Sequence, residues 1–126
     1  MVKPFLLDTN ILIHSHRRDY PFDIAPGFWE YLVKLGNEGL IAFPDEVKKE
    51  ILGFKDDLST WLKDNETSFL TYRCGEEVVL EKYKIIINSV QTNNTYFETA
   101  KAKFASSADS WLIAVALAYE LTVVTQ

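Results

Sequence analysis

The chain has 126 residues, the size of one ordinary domain, so we expect a single domain over residues 1–126. Its one cysteine excludes a disulfide framework and a cysteine-rich zinc cluster, and thirteen basic against eighteen acidic side chains give a net charge of -5, which argues against indiscriminate nucleic-acid binding. No apolar run approaches the roughly 20 residues of a membrane helix and no signal peptide is recognisable, so we expect a cytoplasmic protein with no membrane partner.

Short apolar runs alternate with segments whose apolar residues recur at helical spacing. The apolar runs predict strands, and they cover residues 5–7, 40–43, 69–72 and 121–125. The helical spacings predict helices, and they cover residues 11–13, 26–36, 44–51, 54–62, 76–90, 96–104 and 107–119. Ser106 or Ser107 is expected to cap the last of these helices.

Helices separate every pair of consecutive predicted strands. Such connections favour parallel strands and place helices on both faces of the sheet. The sequence therefore predicts an α/β protein, a three-layer α/β/α sandwich of Rossmann-like type with a central parallel sheet.

Asp8 is the first candidate for chemistry, because it directly follows the first predicted strand. In open parallel α/β sheets, ligands bind beyond the carboxyl ends of the strands. Thr9 and Asn10 add a hydroxyl and an amide beside this carboxylate. The alternative reading is structural: Asp8 caps the short helix that follows.

Three further acids are candidates on two predicted helices. Asp109 lies in the first turn of the last helix, where the helix dipole favours an acid in any case. Glu46 and Glu50 are four residues apart and share one helix face. Glu46 has a structural explanation in the first turn, whereas Glu50 lies one turn deeper without one. We therefore favour Glu50 over Glu46 as a ligand.

Carboxylates that converge at strand ends suit hard divalent cations. Mg²⁺ and Mn²⁺ prefer carboxylate and water ligands, and such ions activate water for phosphodiester cleavage. Motifs of other enzyme classes are missing: the chain has no phosphate-binding P-loop, no dinucleotide-binding glycine turn and no nucleophile elbow.

The densest cationic cluster is the segment His14-Ser15-His16-Arg17-Arg18. A solvated surface is the commoner explanation for such a cluster. Its position just after Asp8 also allows Arg17 and Arg18 to hold an RNA backbone. Cys74 has no evident partner, so we expect a buried, inert thiol.

Three segments together resemble the PIN-domain family of metal-dependent ribonucleases, which includes the VapC-type toxins of toxin–antitoxin systems. They are Phe5-Leu6-Leu7-Asp8-Thr9-Asn10, Ala108-Asp109-Ser110-Trp111-Leu112-Ile113-Ala114 and Leu121-Thr122-Val123-Val124-Thr125. Residues 44–51 look like the second acidic motif of that family. The Pro-Gly-Phe-Trp segment at 26–29 is similar to an uncharacterised bacterial and archaeal PIN subgroup.

The resemblance implies a role for each matching residue. Asp8, Glu50 and Asp109 match the three acids that bind metal and catalyse. Thr9 and Asn10 match the polar residues that orient the first ligand. The fourth family acid would follow Thr125 by two positions, beyond Gln126, so the resemblance implies that the usual C-terminal end is lacking.

The resemblance also implies an activity and its partners. A PIN-type enzyme cleaves RNA with Mg²⁺ or Mn²⁺ and leaves a 5′-phosphate and a 3′-hydroxyl. A toxin would have a cognate antitoxin protein, and such domains commonly form homodimers. The alternative is a catalytically impaired PIN-like domain that serves as a binding or assembly module, and the missing fourth acid motivates it.

Overall fold

A computed structural model describes residues 3–93 and 98–124 of the chain. Within them, a four-stranded parallel sheet is flanked by seven helices, as in a three-layer α/β/α sandwich, which confirms the predicted fold class. The strands lie in the order β3-β2-β1-β4. Their bounds are β1 Phe5–Leu7, β2 Ile41–Pro44, β3 Leu70–Tyr72 and β4 Thr122–Val124.

The helices agree closely with the helical spacings of the sequence. Their bounds are α1 Thr9–His14, α2 Pro26–Asn37, α3 Asp45–Gly53, α4 Asp57–Asp64, α5 Glu77–Thr92, α6 Glu98–Ser106 and α7 Ala108–Tyr119. A π-helical turn, Ser15–Asp19, extends α1. Phe54 was expected inside the fourth helix but lies before it, because Asp56 forms a capping box with Ser59 and starts α4 there. The predicted helix residues Tyr96 and Phe97 and the predicted strand residue Thr125 lie outside the described residues.

The two central strands carry the most apolar sequence. All four residues of β2 are buried, as are Leu6 and Leu7 of β1. Leu6 is paired with Ala42 of β2 on one side and with Val123 of β4 on the other. Because all strands are parallel, the residues that follow β1 and β2 emerge at the same edge of the sheet. That edge positions Asp8 and the start of α3.

The serine before α7 does not cap the helix as predicted. Ser107 occupies the N-cap position, but its hydroxyl donates to the Phe104 carbonyl at 2.9 Å. Ser107 therefore makes no side-chain capping bond to α7, and the prediction for this residue was wrong. The competing bond arises because a serine hydroxyl can donate to a carbonyl of the preceding turn as readily as it can accept from an N–H of the following helix.

An aromatic cluster closes one side of the core, and it includes part of the cationic segment. The His16 ring lies 4.8 Å from the Phe22 ring and 6.2 Å from the Trp29 ring, centroid to centroid. Ser15 is buried, with its hydroxyl donating to the Ile11 carbonyl at 2.7 Å. A solvated surface is therefore wrong for these two residues, because His16 packs against aromatic rings and Ser15 is buried.

Two smaller features complete the architecture. Gly36 of α2 allows a close approach to the chain before β3, since a Cβ there would lie 2.5 Å from Phe69 Cδ1 and 2.7 Å from the Ser68 carbonyl oxygen. Cys74 is buried, as predicted, and burial raises the pKa of its thiol to about 12. None of the helices in residues 3–93 and 98–124 is both long and apolar enough to cross a membrane.

Candidate functional site

Asp8 lies at the carboxyl end of β1 and is 6% exposed. Its side chain accepts a hydrogen bond from the Asn10 backbone N–H at 3.0 Å and so caps α1. Its own backbone N–H donates to the Val124 carbonyl at 3.2 Å, which ties this turn to β4. Asp8 therefore has the structural role that the sequence allowed, and that role holds its carboxylate at the edge of the sheet.

Thr9 connects this turn to α3. It is 3% exposed, and its hydroxyl donates to Glu50 Oε2 at 3.4 Å. The resemblance implied that Thr9 orients the first acid, Asp8. In the structure the Thr9 hydroxyl instead donates to the second acid, Glu50. Asn10 donates its backbone N–H to the Asp8 carboxylate, and Asn10 is exposed.

Glu50 lies on α3 and Asp109 on α7, and the two carboxyl groups interact through their charges. Partial burial raises the pKa of Glu50, and the negative charges of Asp109 and Asp8 raise it further, while the Thr9 hydrogen bond lowers it. Partial burial also raises the pKa of Asp109, and the charge of Asp8 adds to that rise. The three carboxylates therefore influence one another through their charges.

Glu46 has a different environment from Glu50. Its carboxylate accepts a hydrogen bond from Lys49 Nζ at 3.2 Å, one turn along α3. Glu50 instead contacts Thr9 and interacts with the charges of Asp8 and Asp109. The structure therefore places Glu50, rather than Glu46, among the candidate acids.

Two neighbouring cavities border these acids. The smaller, about 320 Å³, is lined by Asp8, Phe104, Asp109, Leu112, Ile113 and Val123. The larger, about 470 Å³, we call the acid-edge groove; it is lined by Glu46, Lys49, Glu50, Lys103, Ser107, Ala108 and Trp111. Glu50 lies in one cavity and Asp109 in the other, and the start of α7 contributes to both.

The acid-edge groove contains residues that the sequence did not single out. Trp111 is in the middle of the apolar pattern of α7, which favours a core role. Lys49 and Lys103 are ordinary charged residues on helices. The one signal that could have found Trp111 is its position in the same short segment as Asp109.

Within residues 3–93 and 98–124, no group of three or more His, Cys, Asp or Glu side chains is arranged to hold a metal ion by itself. Mg²⁺ does not require such a cage, because it keeps several waters and binds through one or two carboxylates together with substrate phosphates. Carboxylate oxygens that repel one another are a suitable donor set for such a hydrated cation.

Arg17 and Arg18 lie in the π-helical turn after α1, and both are exposed. In the part of the chain that the structure describes, neither belongs to an ion pair, and neither lines the two cavities at the acids. The structure thus leaves them available to solvent without bringing them into the acid site. Lys49 and Lys103 are the cations that line it.

Comparison with known proteins gives one result. No curated protein and no solved structure matches the chain. The sequence model of a family described as a domain of unknown function, DUF4411, matches residues 5–126, which covers nearly the whole chain from β1 onward. The chain therefore belongs to the DUF4411 family.

Proposed function

We propose that this chain is a Mg²⁺- or Mn²⁺-dependent endoribonuclease that hydrolyses RNA phosphodiester bonds. One observation carries the proposal: three acids from separate segments lie near the carboxyl end of β1, since Asp8 and Asp109 line one cavity and Thr9, next to Asp8, donates to Glu50. Functional sites of parallel α/β folds lie at this edge. Carboxyl groups whose pKa is raised by burial and by neighbouring charges in a cleft are candidates for a functional site.

The donor set fits a divalent cation, which would activate a water molecule and stabilise the leaving oxygen when bound. The residues of the chain prepare the site for it. The capping bond from Asn10 fixes the Asp8 carboxylate, and the Thr9 hydroxyl fixes the Glu50 carboxylate. The Thr9 bond lowers the pKa of Glu50 and so favours its ionised form, which is the form that binds metal.

The resemblance of the three signature segments to PIN domains supports the same activity and suggests its setting. On that basis the enzyme is the cytoplasmic toxin of a type II toxin–antitoxin pair, acts as a homodimer, and has an antitoxin protein that covers the acid edge. Arg17 and Arg18 are then a secondary contact for the RNA backbone, since they are exposed and lie on the helix that Asp8 caps.

The decisive experiment is cleavage of RNA by the purified protein in the presence of Mn²⁺. We expect cleavage products with 5′-phosphate ends, and we expect Asp8→Asn and Asp109→Asn each to abolish them. Glu81→Gln is the matched control, because Glu81 is an exposed acid of α5 that lines neither cavity at the acids. Cleavage that survives Asp8→Asn combined with Asp109→Asn would refute the assignment.

The second candidate function is a PIN-like binding or assembly module without catalysis. The observation that favours it is that no three acidic side chains of the described residues form a metal cage. In that case Mn²⁺ would neither raise the melting temperature nor support cleavage, although the protein would still bind its partner. A thermal melt with and without Mn²⁺ separates the two functions.

A further inference from the structure

The acid-edge groove has an aromatic wall. Trp111 lines the groove, and its ring stacks on the Tyr83 ring with a centroid distance of 3.8 Å and an interplanar angle of 7°. Tyr83 is on α5, which packs along α7 more extensively than any other helix does among the described residues. The indole is therefore held from behind by a second ring on a neighbouring helix.

The other walls of the groove carry charges of both signs. Glu50 and Glu46 lie on one side, and Lys49 and Lys103 add two cations. Ser107 and Ala108 bring the start of α7 into the same groove, and the Ser107 hydroxyl is engaged with Phe104 rather than with the first turn of α7. A helix start of this kind attracts the oxygens of a phosphate group. The groove thus combines a flat aromatic wall with groups that suit an anion.

The size of the groove narrows the ligand class. A volume of about 470 Å³ falls within the range of sites that enclose small organic ligands, and it is larger than a hydrated metal ion requires. A flat, electron-rich ring supported from behind is the usual platform for a nucleobase. A nucleotide of an RNA strand has a base that fits this wall and a phosphate that can lie beside the neighbouring acids.

We propose that the acid-edge groove is a nucleobase-binding subsite, in which Trp111, supported by Tyr83, stacks on the base of a nucleotide next to the phosphate at the acids. The inference rests on the proposed ribonuclease function for the position of that phosphate. It adds a substrate-positioning residue outside the three acids. Because every base has a flat face, the subsite requires an unpaired base but does not select its identity.

Intrinsic tryptophan fluorescence tests the subsite apart from cleavage. The full chain carrying Asp8→Asn is titrated with single-stranded oligo(A), with the same oligo(A) annealed to oligo(U), and with adenosine monophosphate. We expect oligo(A) to quench the fluorescence and the duplex to quench it much less. Trp111→Phe should remove the quenching, and the matched control Trp61→Phe should keep it, because Trp61 packs against Trp29 and Phe69 and lines a different cavity.

Affinity provides a second measurement. Trp111→Ala should weaken oligo(A) binding by roughly 5- to 150-fold, which corresponds to the stacking of one base on an aromatic side chain. Trp111→Phe retains a ring, so its affinity should fall less, and it also guards against misfolding of the alanine variant. Unchanged affinity in Trp111→Ala, or quenching that survives in Trp111→Phe, would overturn the proposal. Quenching by adenosine monophosphate as strong as that by oligo(A) would overturn the role of the groove in positioning an RNA strand, since the groove would then be a site for free nucleotides.

The experiments distinguish a failure of the subsite from a failure of the proposed enzymatic function. If Asp8→Asn abolishes RNA cleavage but Trp111→Ala leaves binding unchanged, the ribonuclease assignment stands and the subsite fails. If oligo(A) quenches through Trp111 but the unmodified protein never cleaves RNA with Mn²⁺, the subsite stands and the enzyme assignment fails.

Discussion

The Thr9 hydroxyl donates to Glu50 Oε2 across 3.4 Å and joins the turn after β1 to the middle of α3. These two residues are 41 positions apart in the chain, and the parallel pairing of β1 with β2 brings their segments to one edge. The bond lowers the pKa of Glu50, against the burial and the like charges that raise it. Thr9 is thus a positioning residue for the second acid.

Thr9→Val should raise the pKa of the Glu50 carboxyl further. Valine keeps the shape of the side chain but removes the donor, so the one contact that favours ionisation is lost. An NMR titration of the Glu50 carboxyl in metal-free protein measures the change, and Thr9→Ser should restore the midpoint of the unmodified protein. We expect a stability loss of about 0.5–1.5 kcal/mol in the valine variant. An unchanged midpoint in Thr9→Val would contradict this role.

Glu50→Gln and Asp109→Asn should each stabilise the metal-free protein at neutral pH. The folded-state pKa of both acids lies above its ordinary value, so the folded protein holds their protons more tightly than the unfolded chain does. That contribution is present below the ordinary carboxyl pKa, about 4, and is lost as pH rises through the raised pKa. The gain from neutralisation should therefore be largest near pH 7 and vanish in acid.

Thermal melts of these variants across pH provide the measurement. Glu81→Gln is the control, because Glu81 is an exposed acid in the middle of α5, away from the acid edge. Its melting temperature should follow that of the unmodified protein at every pH. Equal melting temperatures for all the variants at neutral pH would mean that the acids do not repel one another.

Much of the fold could be predicted from local sequence alone. Short apolar runs such as Phe5–Leu7 favour strands, and proline at Pro26 and acids after Pro44 mark helix starts. The position of Asp8 at a strand end follows from the same pattern, because the polar turn begins where the buried run stops. These features depend on neighbouring residues only.

The remaining features depend on packing between distant segments, which local patterns do not contain. The sequence of α7 predicts that Trp111 is a core residue. The stacking of its ring on Tyr83 and its position beside the acids depend on how α5 packs against α7. His16 belongs to a cationic run, yet Phe22 and Trp29 partly enclose its ring. The hydroxyl of Thr9 could have reached several partners, and the register of β1 and β2 selects Glu50.

Gly36→Ala should destabilise the fold without affecting the acids. A methyl group there would meet the Phe69 ring at 2.5 Å and the Ser68 carbonyl oxygen at 2.7 Å, and the backbone carbonyl cannot move as a side-chain end can. Overpacking of this kind costs about 1–3 kcal/mol. Gly27→Ala is the matched control on the same helix, since nothing lies within 4 Å of its added methyl group. Chemical denaturation of both variants gives the comparison, and equal stability would contradict the close approach of α2.

Asp8 combines a structural and a chemical role, and two substitutions separate them. Asp8→Asn keeps a side-chain oxygen that can accept the Asn10 N–H, so the cap of α1 should persist. Asp8→Ala removes the acceptor and should cost about 1 kcal/mol. Both substitutions remove the negative charge, so both should lose the rise in melting temperature that Mn²⁺ produces in the unmodified protein. If Mn²⁺ binds only the folded protein, that rise corresponds to a stabilisation of about 2.7 kcal/mol when the Mn²⁺ concentration is a hundred times its Kd.

The asparagine variant is therefore the informative one. One outcome is that the variant melts like the unmodified protein, shows no rise in melting temperature with Mn²⁺ and cleaves no RNA. In that case the charge of Asp8 binds the metal and its side-chain oxygen caps α1. If it melts as early as Asp8→Ala, the Asn10 N–H requires an ionised acceptor, since hydrogen bonds to charged groups are about twice as strong as neutral ones. A full Mn²⁺ response in Asp8→Asn would place the cation on Glu50 and Asp109 alone, in keeping with the one or two carboxylates that hydrated Mg²⁺ uses.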